Sequence, residues 1–225
     1  MRLWIVGALA RMAETRLRNA EEFYGLAESH FQNYIVDLKK EGDLQPESYW
    51  NEADGFGLTR GEGLAGRREE IESLRDLNKY FGVIAVYTQL DHFLFMLFEG
   101  AKAHKLILDR KFLTKGYLTF PGYKRFLKET CEIDVEHLPF DYASLERLNA
   151  VRNAIAHRGG WIHDEAEKKR LGKYGFPNVF PLELPDDYFE ASKKLVVDTC
   201  GLIAARFIEW LKNVQPESES PSFDS

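Results

Sequence analysis

The feature that most constrains the fold is a long apolar segment, residues 83–98, which is hydrophobic on nearly every side of a helix. A helix of this kind is buried in the middle of a protein, so we expect residues 67–103 to form a central helix with other helices packed around it. Apolar residues also recur at helical spacing in residues 3–40, and no segment alternates apolar and polar residues as strands do. The sequence therefore predicts an all-α fold.

Turn-forming residues divide the rest of the chain. Glycines cluster between residues 55 and 66, and we expect residues 41–66 to be a flexible connector, because a phosphate-binding loop would end in Lys-Ser/Thr. Residues 159–185 contain three prolines and are expected to be irregular, and a last helix is expected to begin at Pro185 and end near Asn213. The predicted organisation is an N-terminal helix with connector in 1–63, a helical domain in 64–213 and a disordered tail in 214–225.

Composition places the chain among ordinary globular proteins. With 225 residues it is long enough for a full domain with a core. The net charge of −6 argues against indiscriminate binding to nucleic acid. Cys131 and Cys200 are widely spaced and are interpreted as free thiols, which predicts a reducing, cytoplasmic location. No segment is predicted to span a membrane.

The strongest functional signal is the segment 148–160, Leu-Asn-Ala-Val-Arg-Asn-Ala-Ile-Ala-His-Arg-Gly-Gly. Arg152, Asn153 and His157 interrupt a helix that is otherwise apolar and expected to be buried. Burying a charged side chain costs free energy unless it has a partner, so charged residues there indicate a structural pair or a function. An arginine supplies a fixed positive charge for a phosphate, and a histidine moves protons near neutral pH. Asn149, Asn153 and His157 follow one another at four-residue spacing, so Asn153 is expected to orient the His157 ring.

The geometry of this helix suggests a dimer. Arg152 and His157 lie roughly 140° apart around one helix, so one copy does not direct both groups at the same point. Two copies packed across the apolar arc of Leu148, Val151 and Ile155 would bring two Arg–His sets around one groove. The sequence leaves open whether this arc is a dimer seam or part of the core. Asp141 is the expected N-cap of the helix and Gly159 its left-handed end.

The segment Arg152-Asn153-Ala154-Ile155-Ala156-His157 resembles the arginine, polar residue, spacer, histidine signature of HEPN domains. The resemblance covers roughly residues 64–213. It implies an antiparallel helical bundle and a dimeric endoribonuclease that needs neither metal nor cofactor, of the kind found in toxin–antitoxin and phage-defence systems. It also implies that Arg152 binds the scissile phosphate, that His157 is the general base or acid, and that Asn153 orients them. RNA, a second copy, and an antitoxin or defence-system component are the implied partners.

Other residues are candidates for supporting roles. Asn149 continues the polar strip, and Asp91, inside the central helix, could bond Arg152 or His157 or could belong to a satisfied core pair. Residues 102–128 contain eight Lys or Arg and one acid, with aromatic residues between them. A basic segment of this kind can bind along a phosphate backbone and stack on the bases. The candidate RNA-binding residues there are Lys102, Lys105, Arg110, Lys111, Lys124, Arg125 and Lys128. The favoured alternative is a solvated helix pair whose aromatic residues face the core.

Two other classes of function remain open. A metal centre has weak support, because His137 is the one histidine that follows an acid, Asp134, at three-residue spacing, and a bridged di-metal site needs two such pairs. A non-catalytic dimeric module could use the same cleft to bind RNA, a nucleotide or a protein partner. In a purely structural interpretation, the Arg152–Asn153 pair and His157 cap the helix and bond to a neighbouring loop.

Overall fold

The structure is a computed structural model that describes residues 3–53, 57, 59–103, 119–162, 164–176 and 181–214. Within these ranges the chain is all-α, as predicted, and its one β element is an isolated bridge between Ala53 and Thr59. A short 3₁₀ helix spans Val135–His137. The α-helices are α1 Leu3–Leu44, α2 Glu47–Trp50, α3 Arg60–Ala103, α4 Phe120–Cys131, α5 Tyr142–Arg158, α6 Glu165–Gly172 and α7 Tyr188–Val214.

Helix α3 is the centre of the structure. Helices α1 and α7 pack along it and against each other, and α4 and α5 pack on its C-terminal half. Ion pairs Arg67–Glu41 at 3.0 Å and Arg75–Glu28 at 2.5 Å show that α1 and α3 run antiparallel. The largest fully buried side chains are phenylalanines of α3, α4 and α7, and burying each stabilises the fold by about 1.5–3 kcal/mol.

The N-terminal helix shares this core. Val6, Leu9, Ala13 and Leu17 recur at helical spacing, and all four are buried in the same cluster as the apolar residues of α3 and α7. The sequence alone did not say whether residues 1–60 join the core, and the structure shows that the first half of α1 does.

The expected connector at 41–66 is mostly helical, so this prediction was wrong. Helix α1 continues to Leu44, and α3 begins at Arg60, which places the later glycines of the cluster inside α3. The reason is a reciprocal cap at Thr59: its backbone N–H donates to Glu62 at 2.8 Å, and Glu62 N–H donates to Thr59 Oγ1 at 3.2 Å. This capping box starts a helix despite the glycines that follow.

The segment after α5 is also more ordered than expected. Asp164 accepts a hydrogen bond from Ala166 N–H at 2.7 Å and caps α6, and Leu171 of that helix is buried. Glu167 pairs with Arg158 at 3.2 Å and so ties α6 to the end of α5. The predicted start of the last helix is confirmed within a few residues, because α7 begins at Tyr188.

Helix α3 differs from the prediction on its outer side. By length and composition it could cross a membrane, and half of its most apolar window is buried in the protein. Residues 83–98 are buried or half-buried at most positions, as expected, but Phe95 is 44% exposed, and Phe81, just before that segment, is 70% exposed. The outer face of α3 therefore carries apolar side chains that the described residues leave uncovered.

Gly82 is a close-approach site, and its replacement tests the packing of α1, α3 and α7. A methyl group there would lie 2.7 Å from Phe189 Cδ2 and 3.1 Å from Tyr24 Cδ2, in a place where these two rings stack. We expect Gly82→Ala to lower the free energy of unfolding by about 1–3 kcal/mol, because a packed ring must move. Urea denaturation followed by circular dichroism measures this.

Gly66→Ala is the matched control. It lies in the same helix with no atom within 4 Å of the added methyl group, so it should stabilise the protein by about 0.5–1 kcal/mol. Equal effects of the two substitutions would contradict the packing described for α1, α3 and α7.

Candidate functional site on α5

Helix α5 is held in place by its ends and its apolar side. Asp141 caps its first turn by accepting from Ser144 N–H at 3.1 Å, and Gly159 ends it with a φ of 60°, both as predicted. Leu148, Val151 and Ile155 are all buried in the core. The apolar arc is therefore core, and a dimer that packs across this arc is not available to the folded chain.

A polar cluster lies on the other side of α5. Arg152 Nη1 donates to Asn153 Oδ1 at 2.9 Å, and Asn153 Nδ2 donates to Asn149 Oδ1 at 3.3 Å. The Tyr87 hydroxyl of α3 donates to the same Asn149 oxygen at 2.8 Å, and the Arg152 guanidinium lies 5.2 Å from the centre of the Tyr87 ring. The spacing predicted a bond from Asn153 to His157. In the structure Asn153 bonds to Arg152 and Asn149 instead.

Asp91 lies beside this cluster. Burial raises the pKa of the Asp91 carboxyl, while the charge of Arg152 acts to lower it. Burial also raises the pKa of Tyr87, and the negative charge of Asp91 adds to that effect, so the Tyr87 hydroxyl stays protonated and donates. Asp91 is thus within electrostatic reach of Arg152, but among the described residues it forms no hydrogen bond or ion pair with Arg152 or His157.

Arg152 keeps most of its hydrogen-bonding capacity. It forms no ion pair with any carboxylate of the described residues, and its one hydrogen bond among them goes to Asn153. A guanidinium has five N–H donors, so most of them remain available at a half-buried position. A cation held in place and left unneutralised suits a phosphate, which accepts two such donors side by side.

His157 stands apart from the cluster. Its side chain is exposed in the last turn of α5, and within the described part of the chain no hydrogen bond orients its ring. The structure therefore joins Arg152, Asn153, Asn149 and Tyr87 into one network and leaves His157 at its edge.

The basic stretch before α5 is largely paired where it is described. Lys102 pairs with Glu99 at 3.2 Å, Lys124 with Glu136 at 2.7 Å, and Lys128 with Asp134 at 2.6 Å. Arg125 lies exposed on α4, whereas its neighbours Tyr123 and Phe126 are buried in the core. The candidates Lys105, Arg110 and Lys111 lie outside the described residues. In α4, the aromatic residues of the stretch thus face the core, as in the favoured alternative.

Sequence reasoning missed Tyr87. In the sequence it reads as one more aromatic residue of an apolar helix, and nothing local indicates that its hydroxyl meets Asn149, 62 positions later. A cavity of about 1010 Å³ lies elsewhere, between the start of α5 and α7, and is lined by Arg147 and Tyr188 but by none of the motif residues. No group of three or more His, Cys, Asp or Glu side chains within the described ranges could hold a metal ion.

Comparisons with protein-family models, with curated proteins and with solved structures find no match to this chain.

The environment of Asp91 predicts a pH dependence of stability. Below its ordinary pKa of 3.8 the carboxyl is protonated in the folded and unfolded chains alike. As pH rises, the unfolded chain loses this proton first, so the raised folded-state pKa makes Asp91 oppose folding. We expect Asp91→Asn to become progressively more stable relative to the wild type between about pH 3 and about pH 7. Urea denaturation at each pH measures the difference.

Asp186→Asn is the control with the opposite sign. Its hydrogen bond with Lys79 lowers the pKa of Asp186, so its carboxylate supports folding at neutral pH. This variant should lose stability relative to the wild type over the same range. If the Asp91→Asn difference were constant or fell with pH, burial would not dominate at Asp91.

Proposed function

We propose that the protein is a metal-independent endoribonuclease of the HEPN type that works as a homodimer in the cytoplasm. The observation that carries the proposal is the state of Arg152, which is joined to a network of Asn153, Asn149 and Tyr87 while most of its donors bond to none of the described residues. A protonatable side chain, His157, is exposed on the same helix, just over one turn away.

These two groups suit RNA cleavage by the RNA's own 2′-hydroxyl. His157 takes the proton of the 2′-hydroxyl, whose oxygen attacks the neighbouring phosphorus, and the bond to the 5′-oxygen breaks. A protonated His157 of the partner subunit gives a proton to the departing oxygen, leaving a 2′,3′-cyclic phosphate and a 5′-hydroxyl. Arg152 stabilises the charge that develops on the phosphate. Because the nucleophile is part of the substrate, no metal-bound water is needed.

A second copy is part of the proposal because one helix does not direct Arg152 and His157 at the same point. The buried arc of α5 is unavailable, but the outer face of α3 offers a seam. Its members follow a seven-residue repeat, the spacing by which helices pair. We define the α3 seam as Leu74, Leu77, Phe81, Ile84, Thr88, Asp91 and Phe95.

The α3 seam fits a second copy of the same helix. Leu74, Leu77, Phe81 and Phe95 are all more than 40% exposed, and an apolar row of this length usually marks an interface. Asp91 belongs to the seam and lies within electrostatic reach of Arg152. If two copies pair along the α3 seam about a two-fold axis parallel to it, their Arg152 side chains therefore lie next to each other.

A second candidate function is a non-catalytic dimeric module that binds RNA, a nucleotide or a protein partner in the same cleft. The His157 ring, to which none of the described residues hydrogen-bonds, favours it, because a catalytic base is normally oriented by a third group. In either case a toxin or phage-defence role would add an antitoxin or a defence-system partner that controls access to the cleft.

Cleavage assays with variants separate the two functions. We expect His157→Ala to slow RNA cleavage by about 10²–10⁴-fold, the usual contribution of a general acid or base. Arg152→Ala should slow it by about 10²–10³-fold through lost charge stabilisation. The assay follows labelled RNA in the presence of EDTA, with detection of the cyclic phosphate end.

Arg206→Ala is the control, since Arg206 is exposed on α7 and pairs only with Glu209 among the described residues. It should cleave at the wild-type rate. If the folded wild type binds RNA but does not cleave it, the non-catalytic module is favoured. If His157→Ala cleaves RNA at the wild-type rate, the proposed mechanism is wrong.

The oligomeric state tests the seam. We expect Phe81→Glu to convert a dimer into a folded monomer, because two charges would face each other across the axis in place of apolar contact. Light scattering after size-exclusion chromatography measures the mass. Phe23→Glu is the matched control, because Phe23 is 73% exposed on α1 outside the seam. A wild type that is monomeric at high concentration would refute the dimer.

A further inference from the structure

A second polar site lies next to the motif and has no role in the mechanism above. It is a pocket of about 130 Å³ between α4, α5 and the end of α6. Its polar lining consists of Lys124, Tyr142, Glu146, Asn149, Arg170 and Tyr174. The pocket is smaller than the roughly 300 Å³ at which sites for whole small molecules begin, so it suits one compact group.

The pocket is rich in unused hydrogen-bond donors. Asn149 Oδ1 already accepts from Tyr87 and Asn153, yet its Nδ2 donates to none of the described residues. The Tyr174 hydroxyl likewise has no acceptor among them. Arg170 has a single described contact, with Glu167 at 3.6 Å, which is too long for a hydrogen bond.

Lys124 adds a further donor. Its ammonium group gives one proton to Glu136 at 2.7 Å and one to the Tyr142 hydroxyl at 2.9 Å, which leaves the third. The Glu146 carboxylate accepts from Tyr142 at 3.2 Å and is the one acid that lines the pocket. Glu136 and Glu167 pair with the two cations from outside the pocket lining, but both cations keep N–H donors that these pairs do not use. Several such donors in one small pocket favour an anion that accepts several hydrogen bonds at once, as a phosphate does.

The pocket is linked to the candidate site. Asn149 bonds to Asn153, which bonds to Arg152, so two hydrogen bonds connect the pocket with the guanidinium. Asn149 and Arg152 are three positions apart on α5, which puts their Cβ atoms about 5–6 Å apart. An RNA backbone with one phosphate at Arg152 can therefore place a neighbouring phosphate at the hydrogen-bond donors of the pocket.

We propose that this pocket binds a backbone phosphate of RNA, next to the phosphate held by Arg152. The inference rests on the proposed function for its RNA ligand and adds a positioning site for the strand. Lys124 and Arg170 supply charge, Asn149 and Tyr174 supply directed N–H and O–H donors, and the Glu146–Tyr142 pair closes one wall.

The test measures RNA affinity without cleavage. A labelled single-stranded oligoribonucleotide is titrated with full-length His157→Ala protein by fluorescence anisotropy at several salt concentrations. Adding Arg170→Gln should weaken binding and make the dependence of log affinity on log salt shallower by about 0.7, the effect of losing one phosphate contact on a single strand. Tyr174→Phe should weaken binding and leave the salt dependence unchanged.

Lys169→Gln is the matched control. It removes the same charge from the same helix, at an exposed position that does not line the pocket. Equal affinity and equal salt dependence for Arg170→Gln and Lys169→Gln would overturn the proposal. Arg170 is itself exposed, so both variants should fold, which circular dichroism checks.

The pocket and the proposed function can fail separately. If protein with His157 intact leaves RNA uncut but Arg170→Gln still lowers the salt dependence of binding, the nuclease fails and the pocket stands. If RNA is cut and Arg170→Gln changes neither affinity nor KM, the pocket fails and the nuclease stands. A folded wild type that does not bind RNA at all overturns both.

Discussion

The burial of one side of α3 is the constraint on which the rest of the structure depends. Its inner side chains, such as Phe93 and Leu97, are fully buried, and α1, α4, α5 and α7 all pack against them. This packing fixes the position of α5 along α3 and its rotation about its own axis, and so decides which residues of α5 contact α3. At the edge of that contact, the buried Tyr87 and the half-buried Asp91 replace apolar residues and face α5. The candidate site is thus the polar rim of the core.

A polar rim of this kind supports function because it holds charge without neutralising it. An arginine in the interior would need a carboxylate partner to offset its desolvation. Arg152 is half-buried and is held instead by an amide, an aromatic face and the charge of Asp91. Its positive charge therefore remains available to an incoming anion. In the neighbouring pocket, Asn149 is likewise held by the neutral side chains of Tyr87 and Asn153, and its Nδ2 donates to none of the described residues.

Much of the helical layout could be predicted from the sequence because helix formation and capping are local. The start of α5 at Asp141 and its end at Gly159 follow from hydrogen bonds and backbone angles within a few residues. The differences at 41–66 and 159–185 also have a local origin. The caps at Thr59 and Asp164 satisfy the N–H groups that a helix start leaves unpaired, and they start helices despite the glycines and prolines nearby. The first cap corresponds to a pattern in the sequence, Thr59 followed three residues later by Glu62.

By itself, the sequence determined that the chain is all-α, that residues 142–158 form one helix, and that Arg152, Asn153 and His157 lie on that helix, because spacing and caps are properties of a short segment. Only the tertiary structure decided that Leu148 and Val151 are core, that Asn153 bonds to Arg152 rather than to His157, and that Tyr87 joins them. The physical reason is that a side chain bonds to whatever packing brings within about 3 Å, and the partner that α3 brings to α5 is distant in sequence.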